Sequence, residues 1–236
     1  MNHYQQLRGI VSPFLHSRWV ASISGVALLA FTSTFCGCLS RPPLNMQTFA
    51  FSTPVLPTTN GPASHRVLGI KSLQIAPPFD GRSFVYRSGE FAYQRDPYAG
   101  FLGLPAEQLV APVSEILRQN GCFNDVVEAG SAVQPDTLVE ITITQIYGDI
   151  RQRKSPFAVL AMQVTFVDAT NGLTGRIILQ RNYSRRIPMS STTPAALVAG
   201  WNRALVEILA EVASDFRSQA LEEQRREDYG GNRSQK

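Results

Sequence analysis

Cysteine and histidine are scarce in this sequence, with three of each in 236 residues. Two of the histidines, His3 and His16, stand near the N-terminus, and the third, His65, sits in a stretch of Pro, Ser and Thr. A Ser-His-Asp or Cys-His scheme would therefore have to draw its base from a loop. Zinc asks for several Cys or His ligands, and beyond residue 38 the chain offers one of each. G-x-S-x-G, a Walker lysine loop and G-x-G-x-x-G are all absent. Glu140, Asp149 and Asp168 are spread over predicted strands and turns and read as solvated faces and turn caps. No catalytic residue, metal or cofactor is expected, and the protein is read as a non-enzyme. Charge is also sparse: 17% of residues are charged against 44% hydrophobic, which favours one domain with a sizeable core over a disordered polymer.

Long apolar runs are missing except at one place. After Arg8 and Arg18, with no acid between residues 1 and 37, the stretch Trp19–Phe35 is nearly free of charge. This is the layout of an export signal, although a run of about 17 residues is also at the short end of a membrane span. The residues that follow argue for the export signal. Cys36-Gly37-Cys38 puts a small residue directly before a cysteine and resembles the lipobox of bacterial lipoproteins, in which cleavage leaves an acylated cysteine. Phe35 departs from the usual Leu, and Cys38, preceded by Gly37, fits better than Cys36, preceded by Phe35. Residues 1–37 are thus expected to be a lipoprotein signal peptide and Cys38 the lipid attachment site. The mature chain would then carry twenty basic and eighteen acidic side chains, a net charge of +2 instead of the +4 of the whole sequence, so nucleic acid is not an expected partner. Cys122 would be left alone, unable to form a disulfide within the domain and read as a buried hydrophobe.

Residues 38–65 form the expected lipidated N-terminus and flexible tether: Leu39–His65 contains five prolines, which break helices and ladders. Phe49, Phe51, Val55 and Leu56 could still add an edge strand. Leu39 is not the Asp that holds many such lipoproteins at the inner membrane, and this resemblance directs the protein to the periplasmic face of the outer membrane.

The folded domain is expected over residues 66–219. Val67–Ala76 reads as a strand ended by Pro77-Pro78. Ser83–Tyr86 and Glu90–Tyr93 flank Ser88-Gly89 as a hairpin. Leu104–Gln119 reads as a helix with Pro105 in its first turn and Gly121 as its stop, with Pro112 kinking it or delaying its start. Phe123–Glu128 is a short strand. Thr137–Tyr147 alternates Val139, Ile141 and Ile143 with polar residues, and Pro156–Val167 does the same with Ala158, Leu160, Met162, Val164 and Phe166. Asn171-Gly172 turns the chain into a strand over Arg176–Ile187. Thr193-Pro194 starts the strongest helix, whose stripe is Leu197, Trp201, Leu205, Ile208, Val212 and Phe216. Residues 220–236 read as a charged, fraying tail. The sum is an α+β two-layer sandwich, a largely antiparallel (mixed) sheet with two main helices on one face.

Two sets of residues read as candidate binding surfaces. Phe84, Tyr86, Phe91 and Tyr93 alternate in the predicted hairpin, with Tyr98 and Phe101 just beyond, and aromatic edges make good docking surfaces. Arg151, Arg153, Lys154, Arg181, Arg185 and Arg186 form a basic set that could meet anionic lipid head groups or an acidic partner.

Taken in order, Tyr86-Arg87 in a hairpin, Tyr98 with Phe101, the Pro105-led helix, Gly121-x-Phe123-x-x-Val126, a strand ending at Tyr147-Gly148-Asp149 and the amphipathic C-terminal helix resemble the auxiliary lipoproteins of ABC-type and MCE-type transport systems, the paraquat-inducible protein C type. The resemblance runs roughly from Val67 to Arg217. It implies a non-enzymatic outer-membrane lipoprotein that docks, alone or as a homo-oligomeric ring, onto an MCE-domain protein of an inner-membrane ABC complex and assists lipid transport between the membranes. Tyr86, Arg87, Tyr98 and Phe101 would form the partner-facing edge. The alternative is a lipid- or lipopolysaccharide-binding assembly lipoprotein that partners an outer-membrane barrel.

Overall fold

The computed structural model describes residues 46–53, 66–128, 130–170 and 175–231; the expected signal segment, Cys38, most of the expected tether with His65, and the Asn171-Gly172 turn lie outside them. The elements are β1 (Gln47–Phe49), β2 (Val67–Ile75), β3 (Ser83–Arg87), β4 (Tyr93–Phe101), α1 (Pro105–Gln119), β5 (Asp125–Val127), β6 (Thr137–Asp149), β7 (Phe157–Asp168), β8 (Ile177–Pro188) and α2 (Pro194–Gly231).

All eight strands join one mixed sheet. Its centre is β6, whose alternation of apolar and polar residues buries Val139, Ile141 and Ile143 while Thr144 stays exposed. On one side β6 pairs antiparallel with β7, and β7 with β8, in two long ladders. On its other side β6 is shared by two strands placed end to end. β2 runs parallel to residues 137–143, and β3 runs parallel to Gly148 and Asp149. Behind β2 lies β5, and behind β3 lie β4 and then β1. The sheet is mixed as expected, with its longest ladders antiparallel and its outer pairs β1–β4 and β2–β5 parallel.

Both helices cover one face: α1 lies on β2 and β5, α2 on β7 and β8, and the two touch each other. The stripe Leu197, Trp201, Leu205, Ile208, Val212 and Phe216 is buried throughout, as are Leu109, Val113, Ile116 and Leu117 of α1. α1 begins at Pro105, so Pro112 does not delay it; Pro112 sits buried within the helix. α2 opens as its sequence predicts, with Ala196 N–H donating to Thr193 Oγ1 at 3.4 Å. At Gly200 α2 lies close against the sheet, since a Cβ there would stand 2.4 Å from Ala158 Cβ.

Three expectations change. The helix does not end near Gln219: its backbone continues to Gly231, because Leu, Glu, Gln and Arg dominate the tail and are all good helix formers. β1 falls inside the stretch read as tether and realises the edge strand its aromatics allowed. Phe49 packs at 5.5 Å from Phe84, and Phe51 stacks on Phe101 at 5.5 Å. β4 begins at Tyr93, where the predicted strand was to end, and continues to Phe101 through Asp96 and Pro97. Asp96 makes this possible, since its Oδ1 accepts from the N–H groups of Tyr98 and Ala99 at 2.8 and 3.1 Å, in the stretch where the β3–β4 register shifts.

Among the described residues, no helix is long and apolar enough to cross a membrane.

Candidate functional site

The aromatic residues of the β3–β4 region divide between the interior and the surface. Phe84 and Phe101 are buried and meet Trp201 from two sides, Phe84 edge-on at 5.1 Å and Phe101 stacked at 5.6 Å. Phe101 is therefore core, and its expected place on a partner-facing edge is corrected. Tyr86 is buried too, at 6% exposure. Its ring lies over Gly148, its partner in the parallel β3–β6 pair; a Cβ on Gly148 would fall 2.7 Å from Tyr86 Cδ1. Tyr86 cannot present its ring to a partner, which corrects the second of the four expected contacts. Arg87 folds back on its own hairpin, donating to the carbonyls of Gly89 and Glu90 and lying over the Tyr93 ring at 5.7 Å. Only Tyr98 stands out as expected, 61% exposed.

The exposed apolar rim has different members: Phe91, Tyr93, Tyr98, Leu102 and Leu104, all from one stretch between the hairpin tip and the start of α1. Phe91 and Tyr93 were legible as aromatics at alternate positions. Leu102 and Leu104 carried no signal, because a lone Leu beside a helix start reads as a core residue.

The basic set disperses. Arg181 pairs with Asp215 at 2.6 Å, and Arg185 with Glu211 at 2.5 Å and Glu207 at 3.5 Å, so both lie down on α2. Arg151 grips Asp149 through two bonds of 2.9 and 2.7 Å, and Arg186 adds a third at 3.3 Å while stacking over Phe157. Asp149 is thereby a buried carboxylate whose lone pairs face guanidinium groups, and the Arg151 bonds hold its carboxyl below the usual range against the opposing effect of burial. A depressed carboxyl pKa contributes stability above the unfolded-state value, and that contribution is lost as pH falls through the folded-state value. Asp149→Asn is accordingly expected to cost about 1–2 kcal/mol at neutral pH, less than a fully enclosed pair because both arginines reach solvent. The cost should shrink only as pH falls below the usual carboxylate range and through the folded-state value, a convergence that urea melts of both proteins down a pH series would read.

The other two carboxylates are turn and surface groups. Glu140 pairs with Lys71 at 2.6 Å on the exposed side of the sheet, and Asp168 accepts from Thr170 N–H and Oγ1–H at 3.0 and 2.7 Å. They are not brought together with Asp149. No group of three or more His, Cys, Asp and Glu that could hold a metal ion occurs among the described residues. Cys122 is buried, as a lone apolar cysteine should be, with its Sγ 3.0 Å from Ala213 O and 3.1 Å from Arg217 Nη2. Burial raises its thiol pKa, with Arg217 opposing the rise.

One cleft stands beside the hairpin. Its volume is about 410 Å³, and Tyr86 forms part of its lining, with Asp96 and Pro97 of β4, Ile150 and Arg153 after β6, and Thr192 and Pro194 at the start of α2. This cleft is not legible in the sequence, because its walls come from four separate segments. Burial, then the charge on Asp96, pushes the Tyr86 hydroxyl up to about 12, so it is a neutral donor at physiological pH.

Comparison with known proteins now places the fold. Protein XCC0632 from Xanthomonas campestris is similar over 76% of this chain and 99% of its own, at 18% identity and a TM-score of 0.63. An uncharacterized protein of known structure is similar over 74% of this chain and 99% of its own, at 13% identity and a TM-score of 0.53. At these identities the likeness speaks for the fold alone. No curated protein matches the chain. The sequence profile of the ABC-type transport auxiliary lipoprotein component family matches residues 49–213, a span that opens at the end of β1 and closes on α2, and the chain belongs to that family.

Proposed function

We propose that the protein is an outer-membrane lipoprotein, held at the periplasmic face by acyl chains on Cys38, that serves as the docking subunit of an ABC/MCE-type system moving lipid between membranes. The observation that carries this reading is the family match over residues 49–213. Two others agree with it. The lipobox-like Cys36-Gly37-Cys38 lies a short way before β1, and the exposed rim of Phe91, Tyr93, Tyr98, Leu102 and Leu104 offers apolar area to a protein partner. The hydrolysis of ATP would belong to another subunit, and this domain would supply position and contact.

Affinity capture of the full chain from detergent-extracted envelopes, read by mass spectrometry, tests the partner. An MCE-domain protein is expected in the eluate, and Tyr98→Ser combined with Phe91→Ser should remove it while the domain stays folded. Recovery of an outer-membrane barrel in its place would overturn the assignment.

A further inference from the structure

The Tyr86 hydroxyl opens onto the cleft. Its ring is buried, no hydrogen bond to a protein acceptor holds its O–H among the described residues, and the side chain lines the 410 Å³ cleft. The hydroxyl is not sealed from solvent, since the enclosed side-chain polar atom without a partner among the described residues is Thr137 Oγ1, and it is free to donate to a ligand that enters the cleft. The ring is seated on Gly148, where Leu197 also packs, and this seat holds the hydroxyl at the cleft wall.

The walls define the chemistry of that ligand. Arg153 is exposed and meets no acid among the described residues, unlike Arg151, Arg181, Arg185 and Arg186, which are all paired. Thr192 and Pro194 bring in the N-terminus of the 38-residue α2, whose first turn contains no acid. Guanidinium, phenol and helix N-terminus together favour an anion with several acceptor oxygens. Asp96 on the facing strand would repel a multiply charged anion and would attract an ammonium group. Pro97, Ile150 and Pro194 supply apolar contact between these charges. The cavity has room for a polar head and its glycerol but not for two acyl chains.

We infer that this cleft binds a phosphodiester bearing an ammonium group, the head of an aminophospholipid, with the phosphate held by Arg153, Tyr86 O–H and the start of α2, and the ammonium by Asp96. The inference deepens the lipid-transport reading and rests on it for the physiological source of the ligand. The acyl chains would remain outside the cleft, available to whatever conduit the partner provides.

Titration calorimetry on the full lipidated chain in neutral detergent, with water-soluble glycerophosphoethanolamine as the probe, tests it. Saturable binding at millimolar concentration is expected. Tyr86→Phe keeps the ring on Gly148 and should weaken binding about tenfold, as should Arg153→Gln, with unchanged thermal midpoints. Asp96→Asn retains an acceptor for Tyr98 N–H and should turn the preference toward glycerophosphate. No saturable binding by the unsubstituted chain, or unaltered binding by Tyr86→Phe and Arg153→Gln, would refute the site. Equal binding of inorganic phosphate would refute the head-group assignment by marking a free-phosphate site. Head-group binding without capture of an MCE protein fails the partner reading alone, and capture without head-group binding fails the cleft alone.

Discussion

Trp201→Ala is expected to destabilise the domain by about 3–5 kcal/mol, the cost of truncating a fully enclosed aromatic. Trp201 is 0% exposed and sits where three parts of the molecule meet. Phe84 of β3 stands edge-on against its indole and Phe101 of β4 lies parallel to it. The indole N–H donates to the carbonyl of Val159 on β7 at 3.2 Å. Truncation removes the ring contacts, opens a cavity between α2 and the sheet, and leaves a buried carbonyl with one acceptor site unused. Because Phe51 and Phe49 rest on Phe101 and Phe84, the loss should spread to β1. Denaturant melts of both forms measure the total. A loss below 1 kcal/mol would mean that the aromatic cluster relaxes around the gap and that the contacts named here do not hold the hairpin to the helix.

The second large effect belongs to the N-terminus. Cys38→Ser should move the protein from the membrane fraction to the aqueous one almost completely, with the domain still folded. Each buried methylene of an acyl chain contributes roughly 0.8 kcal/mol, so several chains on one cysteine hold a protein on a bilayer while a single short chain does not. Among the described residues no helix could take over that role, and the net positive charge is small. Fractionation of cells expressing each form, with mass spectrometry of the N-terminal peptide, reads both halves of the expectation. Membrane retention of the serine variant would show that residues 19–35 act as an uncleaved anchor, and the lipobox reading would be lost.

Legibility in the sequence followed the periodicity of single elements. β6, β7 and α2 repeat apolar residues at two or at three and four positions over more than ten residues, and each was found within a residue or two of its start. β4 escaped because Asp96-Pro97 looks like a turn; only the carboxylate that receives two backbone donors lets the strand continue. The pairing of β2 and β3 end to end on β6 could not be read either, since parallel neighbours are joined by long connections that carry no local signal. The same limit governed the site. Tyr86 and Phe101 were recognised as notable aromatics, but alternation alone does not say which face a helix will cover. The pairing of Arg181 with Asp215 and of Arg185 with Glu211 joins residues on two elements far apart in the chain, and no spacing rule links them.

β1 joins the sheet through three residue pairs at one edge, parallel to β4, and it is the first described element after Cys38. Force applied along the chain from an acylated Cys38 would reach the domain there, and would act on those few hydrogen bonds and on Phe49 and Phe51 before it reached β2. Detaching that short strand leaves β2 to β8 paired and frees residues 47–53 from the sheet. At 3.3–3.6 Å per residue those seven residues lengthen the leash by up to roughly 25 Å. Tension along the chain would in this way be relieved at β1 before the core unfolds, and a force-extension trace would show the release as a first step of no more than that length.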